Sequence, residues 1–508
     1  MKEILYLKIY KEIVDKIHNG TLVYGDKLPS KRKMAKIHNV SIITVENAYN
    51  QLVSEGYIYS KEKSGFYINV LEIEKKAVSI PEEKLVEIKP DYIFNFINTY
   101  TGIESFPFSV WQKIGRNILT NDAEILLNKC PSNGLLELRQ TIASYVNENL
   151  AMNVSSSQVI IGSGSENLYS LLINYFGREK KYAVEDPSYL NISKIYQLND
   201  VNFDYIPLDD KGINMNILYQ KEIDLVHVST NHHYPTGITM PISRRYELLK
   251  WAKEKNAFII EDDYDVELRL KGKLINPLFS LDDNNVIYLN TFSVTLNPSF
   301  RIAYMILPKR LVSSYIQKMS ILNCAVPVYD QLVLSKFIQS GSYERHLNRK
   351  KKIYKDIRNI FLSEIKTAEI YEELTIKEAD LGLQLLIKYP YNISDKIVEK
   401  IASENKIKIY TLSHFLHDKL DTKTLVVSYA SFDPKNTEYG VNLLINLLNK
   451  IKNYASEWIA LTFSFSFSFN SLEQNAPSIA FNVHLYKSSS VKPIAWSCLC
   501  SFNNVVLE

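Results

Sequence analysis

Apolar residues recur at Ile4, Leu5, Leu7, Ile9, Ile13, Val14 and Ile17 with charged residues between them, a spacing that predicts an amphipathic helix over 4–19 closed by Gly20. Gly25-Asp26 marks a turn. Leu28-Pro29-Ser30 then opens a second helix, with Ser30 as N-cap and Met34, Ala35 and Ile37 facing inward. After a short break at 38–41, Ser41 caps a third helix that turns Val45, Ala48, Tyr49 and Leu52 inward and ends near Glu55-Gly56. Tyr57–Ser60 and Phe66–Val70 read as two short strands joined at 61–65. Three helices, the last two separated by a tight turn, followed by a basic hairpin make a winged helix-turn-helix over residues 1–70.

The pattern then changes. Residues 71–92 are polar and charged, with Pro81 and Pro90, and read as a linker. From Phe94 on, short apolar runs alternate with helical periods: Val159–Ile161, Lys181–Val184, Ile223–Val228, Ala257–Ile260, Val286–Leu289 and Ile302–Leu307 are strands, and several end in polar loops. Such alternation predicts an α/β fold with a mostly parallel sheet between helices, in which ligands sit at the carboxyl ends of the strands. We divide this part into a large domain over 93–330 and a small α/β domain over 331–454, the latter opening on a Lys/Arg-rich amphipathic helix over 343–369. Residues 455–508 form an extension of unassigned role, read as poorly ordered. Within it, Thr462–Phe469 alternates Phe and Ser with period two, the pattern of a strand with one aromatic face.

Length and composition narrow the class. A chain of 508 residues exceeds a single ordinary domain, and 46% hydrophobic with 23% charged residues is the balance of a globular protein. No apolar run is long enough to span a membrane, and the charged N-terminus lacks a signal core, so a cytoplasmic protein is expected. Four cysteines without CxxC spacing predict neither a disulfide framework nor a zinc site, and His232-His233 has no second ligand pair at metal spacing. The net charge of +3 is uneven: residues 1–70 carry 11 Lys/Arg against 7 Asp/Glu, and the rest of the chain is slightly acidic. A basic winged helix on a near-neutral body points to double-stranded DNA. Ser30 and Arg32 at the start of the second helix suit phosphates, Ser41 and Thr44 lie where the third helix enters the major groove, and Lys61, Lys63 and Gly65 form the wing tip. A winged helix that contacts protein instead is the competing reading of the same pattern.

The string Gly25-Asp-Lys-Leu-Pro-Ser-Lys-Arg-Lys-Met-Ala35, with Val40-Ser41, Thr44-Val45, Glu55-Gly56-Tyr57 and Ser64-Gly65-Phe66, resembles the GntR family of bacterial transcription regulators. Glu185-Asp-Pro-Ser-Tyr189, His232-His-Tyr-Pro-Thr-Gly237, Glu261-Asp-Asp-Tyr-Asp265 and Thr291-Phe-Ser293 through Arg301 resemble fold-type I aminotransferases that use pyridoxal phosphate (PLP). The order, winged helix first, is similar to the MocR/GabR-type branch of GntR regulators.

That resemblance implies a PLP cradle. Asp262 corresponds to the carboxylate at the pyridine nitrogen, Tyr264 to the phenol at the ring oxygen and Tyr189 to the stacking aromatic. The N–H groups of Ser165 and Glu166, with Ser293 and Arg301, correspond to the phosphate site. Two positions depart from it. Val294 stands at the lysine that forms the imine, and Val426, within Leu425–Ala430, stands at the arginine that binds a substrate carboxylate; no arginine follows Arg358. Glu166 also replaces the usual Gln, placing a negative charge at the phosphate site, and Ile42 replaces the usual Arg on the third helix.

These residues predict a DNA-binding transcription regulator with no catalytic residues and no metal. Its aminotransferase-like domain serves as a dimerisation and effector module, holding PLP non-covalently or not at all. The resemblance implies a head-to-tail homodimer. The competing reading is an active PLP-dependent aminotransferase with an accessory domain.

Overall fold

The computed structural model describes residues 5–69, 92–97, 106–270, 275–378 and 382–473. The chain divides into two units, Met1–Lys89 and Pro90–Glu508.

In the first unit, α1 (Leu5–His18), α2 (Lys31–His38) and α3 (Ile42–Ser54) precede an antiparallel hairpin of β1 (Ile58–Lys61) and β2 (Gly65–Ile68). Both predicted caps form: Ser30 accepts from the Lys33 N–H and Ser41 from the Thr44 N–H. Each satisfies an otherwise orphaned helix donor, which typically contributes about 1 kcal/mol. Val45, Ala48, Tyr49 and Leu52 are fully buried against Ile9, Ile13 and Met34. Ile37 corrects the expectation of an inward residue: it is 59% exposed. Helix α2 is only two turns long and spends its buried face on Met34 and Ala35.

In the second unit, an eight-stranded sheet has the order β4-β11-β10-β9-β8-β5-β6-β7. These are β4 (Val159–Gly162), β5 (Tyr182–Asp186), β6 (Phe203–Asp209), β7 (Gly212–Ile213), β8 (Leu225–Val228), β9 (Phe258–Asp262), β10 (Val286–Thr291) and β11 (Ala303–Ile306). The pairs β10-β9, β9-β8, β8-β5 and β5-β6 are parallel, while β11 runs antiparallel to both of its neighbours. Strands β4, β8, β10 and β11 are buried along their whole length, as strands covered on both faces must be. Strand β9 runs on through Glu261 to Asp262, past the end the apolar run marks, so that carboxylate sits on a strand and not in a loop.

A second sheet, β12 (Thr375–Glu378), β13 (Gln384–Lys388), β16 (Thr424–Ser428) and β15 (Tyr410–Thr411), is antiparallel throughout. The short strands β3 (Phe94–Asn95) and β14 (Ile407–Lys408) pair separately. Further helices used below are α4 (Leu136–Asn149), α5 (Ser165–Phe176), α6 (Phe292–Thr295), α7 (Val328–Gln339), α8 (Ser342–Thr367) and α9 (Thr437–Glu473).

Helix α9 overturns the strand expected over Thr462–Phe469: the backbone stays helical to Glu473. Extending an established helix adds one hydrogen bond per residue, whereas a strand there needs a partner, and no strand among the described residues supplies one. The rest of the extension, 474–508, lies outside the described residues, as does most of the linker.

Candidate ligand cavity and DNA-facing surface

Strand ends and one turn build a cavity of about 390 Å³ in the second unit. Its wall holds every residue that the PLP resemblance singles out: Ser165, Glu166, Tyr189, Asp262, Tyr264, Ser293 and Arg301. Val294 and Val426 line the same space.

Asp262 closes β9 and is 6% exposed. The Tyr169 hydroxyl donates to its Oδ2, and His227 Nε2 lies 3.6 Å from the same oxygen. Burial, with the Asp262 charge behind it, holds the Tyr169 phenol well above its usual range, so it remains a donor. Tyr264 is pushed up by burial and then by Asp265, and its hydroxyl is 3.1 Å from His232 Nδ1. His232 Nδ1 is in turn 2.8 Å from Asp265 Oδ2. Burial raises Tyr189 to about 12, and the charges of Glu166 and Asp262 add to the effect. At neutral pH all three phenols therefore carry their protons.

The end of the cavity that the resemblance assigns to a phosphate is formed by the turn between β4 and α5. Gly164 has φ +87°, a conformation that suits glycine, and a Cβ there would sit 2.4 Å from Arg301 Nη2. The turn thus delivers the α5 N-terminus, at Ser165 and Glu166, directly under Arg301. Glu166 does not point away: its Oε2 is 2.5 Å from Arg301 Nη2, with both side chains about half exposed. Ser293, on α6, has a buried hydroxyl with no hydrogen-bond partner. An orphaned hydroxyl on a cavity wall is an unfilled site for a ligand oxygen.

The opposite wall comes from the small sheet. Val426 on β16 is 4% exposed and pairs with Leu386 and Tyr410 across the sheet. Gln384, opposite Ser428, leaves its Oε1 buried and unpartnered. Behind Val294, the Lys350 ammonium of α8 donates to the carbonyls of Val294, Thr295 and Leu296 at 2.7, 3.2 and 3.3 Å. It is 3% exposed, and burial lowers it to about 8.

Sequence reasoning missed Tyr169, His227, Gln384 and Lys350. The first three had a faint signal. Tyr169 lies one turn after Ser165 on α5, His227 is the one polar residue in the apolar strand β8, and Gln384 opens β13 ahead of three apolar residues. Lys350 is one lysine among many on a basic helix and gave none.

The residues named as ligand donors fit PLP in part. A carboxylate on the wall, an orphaned serine hydroxyl, a guanidinium beside a helix N-terminus and a stacking phenol match a phosphorylated pyridine ring. Val294 provides no amine to bond it.

On the first unit, Arg32, Ser41, Lys61 and Lys63 are exposed, and Thr44 and Gly65 are half-buried. Arg32 pairs with no carboxylate among the described residues, while Lys31 takes up Glu46 at 2.5 Å and neutralises it. Ser41 Oγ is committed to the cap and to Thr44 Oγ1 at 2.8 Å. Ile42 and Ile43, 46% and 69% exposed, stand free at the α3 N-terminus. Lys63 (φ 58°) and Gly65 (φ 118°) make the wing turn.

Residues 5–68 match the bacterial regulatory proteins of the gntR family, and residues 97–444 match the Aminotransferase class I and II family. The chain is 34% identical to the uncharacterized HTH-type transcriptional regulator YdeL of Bacillus subtilis, over 87% of this chain and 96% of the relative. It is 25% identical to the probable rhizopine catabolism regulatory protein MocR of Rhizobium meliloti, over 87% and 93%. The second unit superposes on the multiple substrate aminotransferase of Thermococcus profundus with a TM-score of 0.63 at 25% identity, covering 72% of this chain and 93% of that one. No described helix is long and apolar enough to cross a membrane. With a gntR-type DNA-binding domain fused to an aminotransferase class I and II domain, the chain belongs to the MocR-type family of HTH transcriptional regulators.

Proposed function

We propose that the second unit is a ligand-sensing and dimerisation module that does not transaminate, and that it reports its ligand to the DNA-binding domain of a cytoplasmic regulator. The observation that carries this reading is the composition of one wall. The cavity is lined by the groups that the resemblance assigns to PLP, yet Val294 and Val426 stand where it places the reactive lysine and the carboxylate-binding arginine. A valine transfers no proton and forms no bond to a carbonyl carbon, so both nucleophilic and general acid–base contributions, the latter worth about 10²–10⁴-fold, are missing.

PLP, when bound, supplies an electron-withdrawing ring. The chain's own residues would hold it: Ser293, Arg301 and the Ser165 N–H on the phosphate, Asp262 at the ring nitrogen, Tyr264 at the ring oxygen and Tyr189 on the ring face. The association is reversible, because no covalent anchor is present. A head-to-tail homodimer would present two winged helices to two half-sites.

An active aminotransferase is the second reading. What favours it is Lys350, whose amine lies 2.7 Å from the Val294 carbonyl and is more acidic than an ordinary lysine. Three carbonyls hold that amine and it does not line the cavity, so the first reading is preferred. The test is PLP titration of the purified chain with absorbance and borohydride reduction. Saturable binding that dialysis reverses, with no lysine trapped, is expected. Borohydride fixation of PLP on Lys350 would establish the second reading instead.

A further inference from the structure

Away from the cavity, two cysteines that lie 194 positions apart in the chain meet at one side chain. Cys130 precedes α4 and Cys324 precedes α7, both in segments outside helix and strand. Gln331 Nε2, on α7, is 3.2 Å from Cys130 Sγ and 3.6 Å from Cys324 Sγ. The same amide donates to the Val326 carbonyl at 2.8 Å, and its Oε1 accepts the Leu135 N–H at 2.8 Å. Both cysteines are free thiols and half-buried, within reach of a small oxidant.

The two sulfurs are not equivalent. Cys130 receives hydrogen bonds from the Cys324 thiol and from Gln331 and lies near the Arg139 guanidinium, and these lower it to about 7. Arg139 donates to the carbonyls of Gly134 and Ser156, neutral acceptors that leave its charge in place. Cys324, as donor to Cys130 and through burial, is shifted up. A thiolate held beside a protonated thiol is the arrangement of an attacking and a resolving cysteine.

We propose that Cys130 and Cys324 are a peroxide-sensitive thiol pair that closes into a disulfide. The Cys130 thiolate attacks one peroxide oxygen, the O–O bond breaks, and hydroxide leaves, giving a sulfenic acid at Cys130. The Cys324 sulfur then attacks the Cys130 sulfur. The S–S bond forms, the S–O bond breaks, and the hydroxyl leaves as water with the Cys324 proton. The two sulfurs lose two electrons and the peroxide gains them. The reaction also removes a thiol that lies 3.5 Å from the Ile161 carbonyl on β4, three residues before Gly164. Oxidation therefore acts on the strand that supports the phosphate turn.

The test uses the full chain carrying Cys498→Ser and Cys500→Ser, which leaves only this pair to titrate. Equimolar hydrogen peroxide should remove both thiols and lower the intact mass by about 2 Da, the two thiol hydrogens. A digest without reductant should yield one peptide joining the 130 and 324 segments, and the protein should run as a monomer on a non-reducing gel. In Cys324→Ser, a sulfenic acid should persist at Cys130 and react with dimedone. In Cys130→Ser, Cys324 should stay reduced. Survival of both thiols, a sulfinic acid on one with the other still free, or equally fast oxidation of Cys324 in Cys130→Ser would overturn the proposal. The mapping on the intact pair decides the matter even where a single variant fails to fold.

Discussion

Glu166 Oε2 sits 2.5 Å from Arg301 Nη2, at the spot where the α5 N-terminus and the guanidinium together would receive a phosphate. The chain thus places its own carboxylate at the proposed anion site. A phosphorylated ligand must displace or repel this carboxylate, so Glu166→Gln should tighten PLP binding by roughly tenfold, a reasonable figure for one unit charge at a half-exposed site. Arg301→Ala should weaken it. Calorimetry at two salt concentrations checks both, and the gain in Glu166→Gln should shrink as salt rises.

Val294 can be reversed. It lies on α6, between a buried strand and a cavity wall that already holds Ser293 and Asp262. Val294→Lys should create a PLP absorbance band that borohydride fixes to residue 294. Val294→Met, of similar bulk to lysine but without the amine, should not. Absence of the band in Val294→Lys would mean that Asp262 and Arg301 do not orient the ring.

Lys350 predicts a pH dependence of stability. The folded chain releases this proton near 8, against a usual lysine value of 10.5. Between those values the unfolded chain binds more protons, so stability should climb as pH rises from about 8 toward 10.5. Below 8 the burial penalty is present in full, about 3 kcal/mol from the size of the shift. Urea midpoints measured across this range should show that slope in the wild-type chain and lose it in Lys350→Met.

The residues proposed to face DNA separate into two kinds. Arg32 is exposed and pairs with no acid among the described residues, so Arg32→Ala should weaken operator binding and reduce the salt slope by about one. Ser41→Ala removes a cap rather than a DNA contact alone, and should cost about 1 kcal/mol of stability in addition to affinity. A gel shift on the promoter region beside its own gene, with thermal melts of the same variants, distinguishes the two.

Local features were legible in the sequence because their causes are local. Ser30 and Ser41 cap the helices they precede, and Asp262 lies at a strand end because Ile259-Ile260 are apolar. Contacts across the fold were not. Tyr169 and Asp262 are joined only once β9 and α5 are packed, and the Glu166–Arg301 pair depends on a glycine turn whose φ no periodicity records. The alternation over Thr462–Phe469 misled for a related reason: a strand's period is meaningful only where a neighbouring strand exists, and a helix arriving from Thr437 met no such competitor. Ile37 failed because an inward position counted from spacing assumes a longer helix than α2 provides.

The cavity is bounded by two sheets: Asp262 and Thr291 end strands of the eight-stranded sheet, and Gln384, Val426 and Ser428 belong to the four-stranded one. Anything that fills it touches both. With Val294 at the position the resemblance gives to the tethering lysine, the proposed occupant would stay for a time set by weak contacts alone. On the proposed sensing role, the fraction of molecules with their sheets bridged would follow the surrounding ligand concentration continuously, and the second unit would act as a graded gauge and not as a latch.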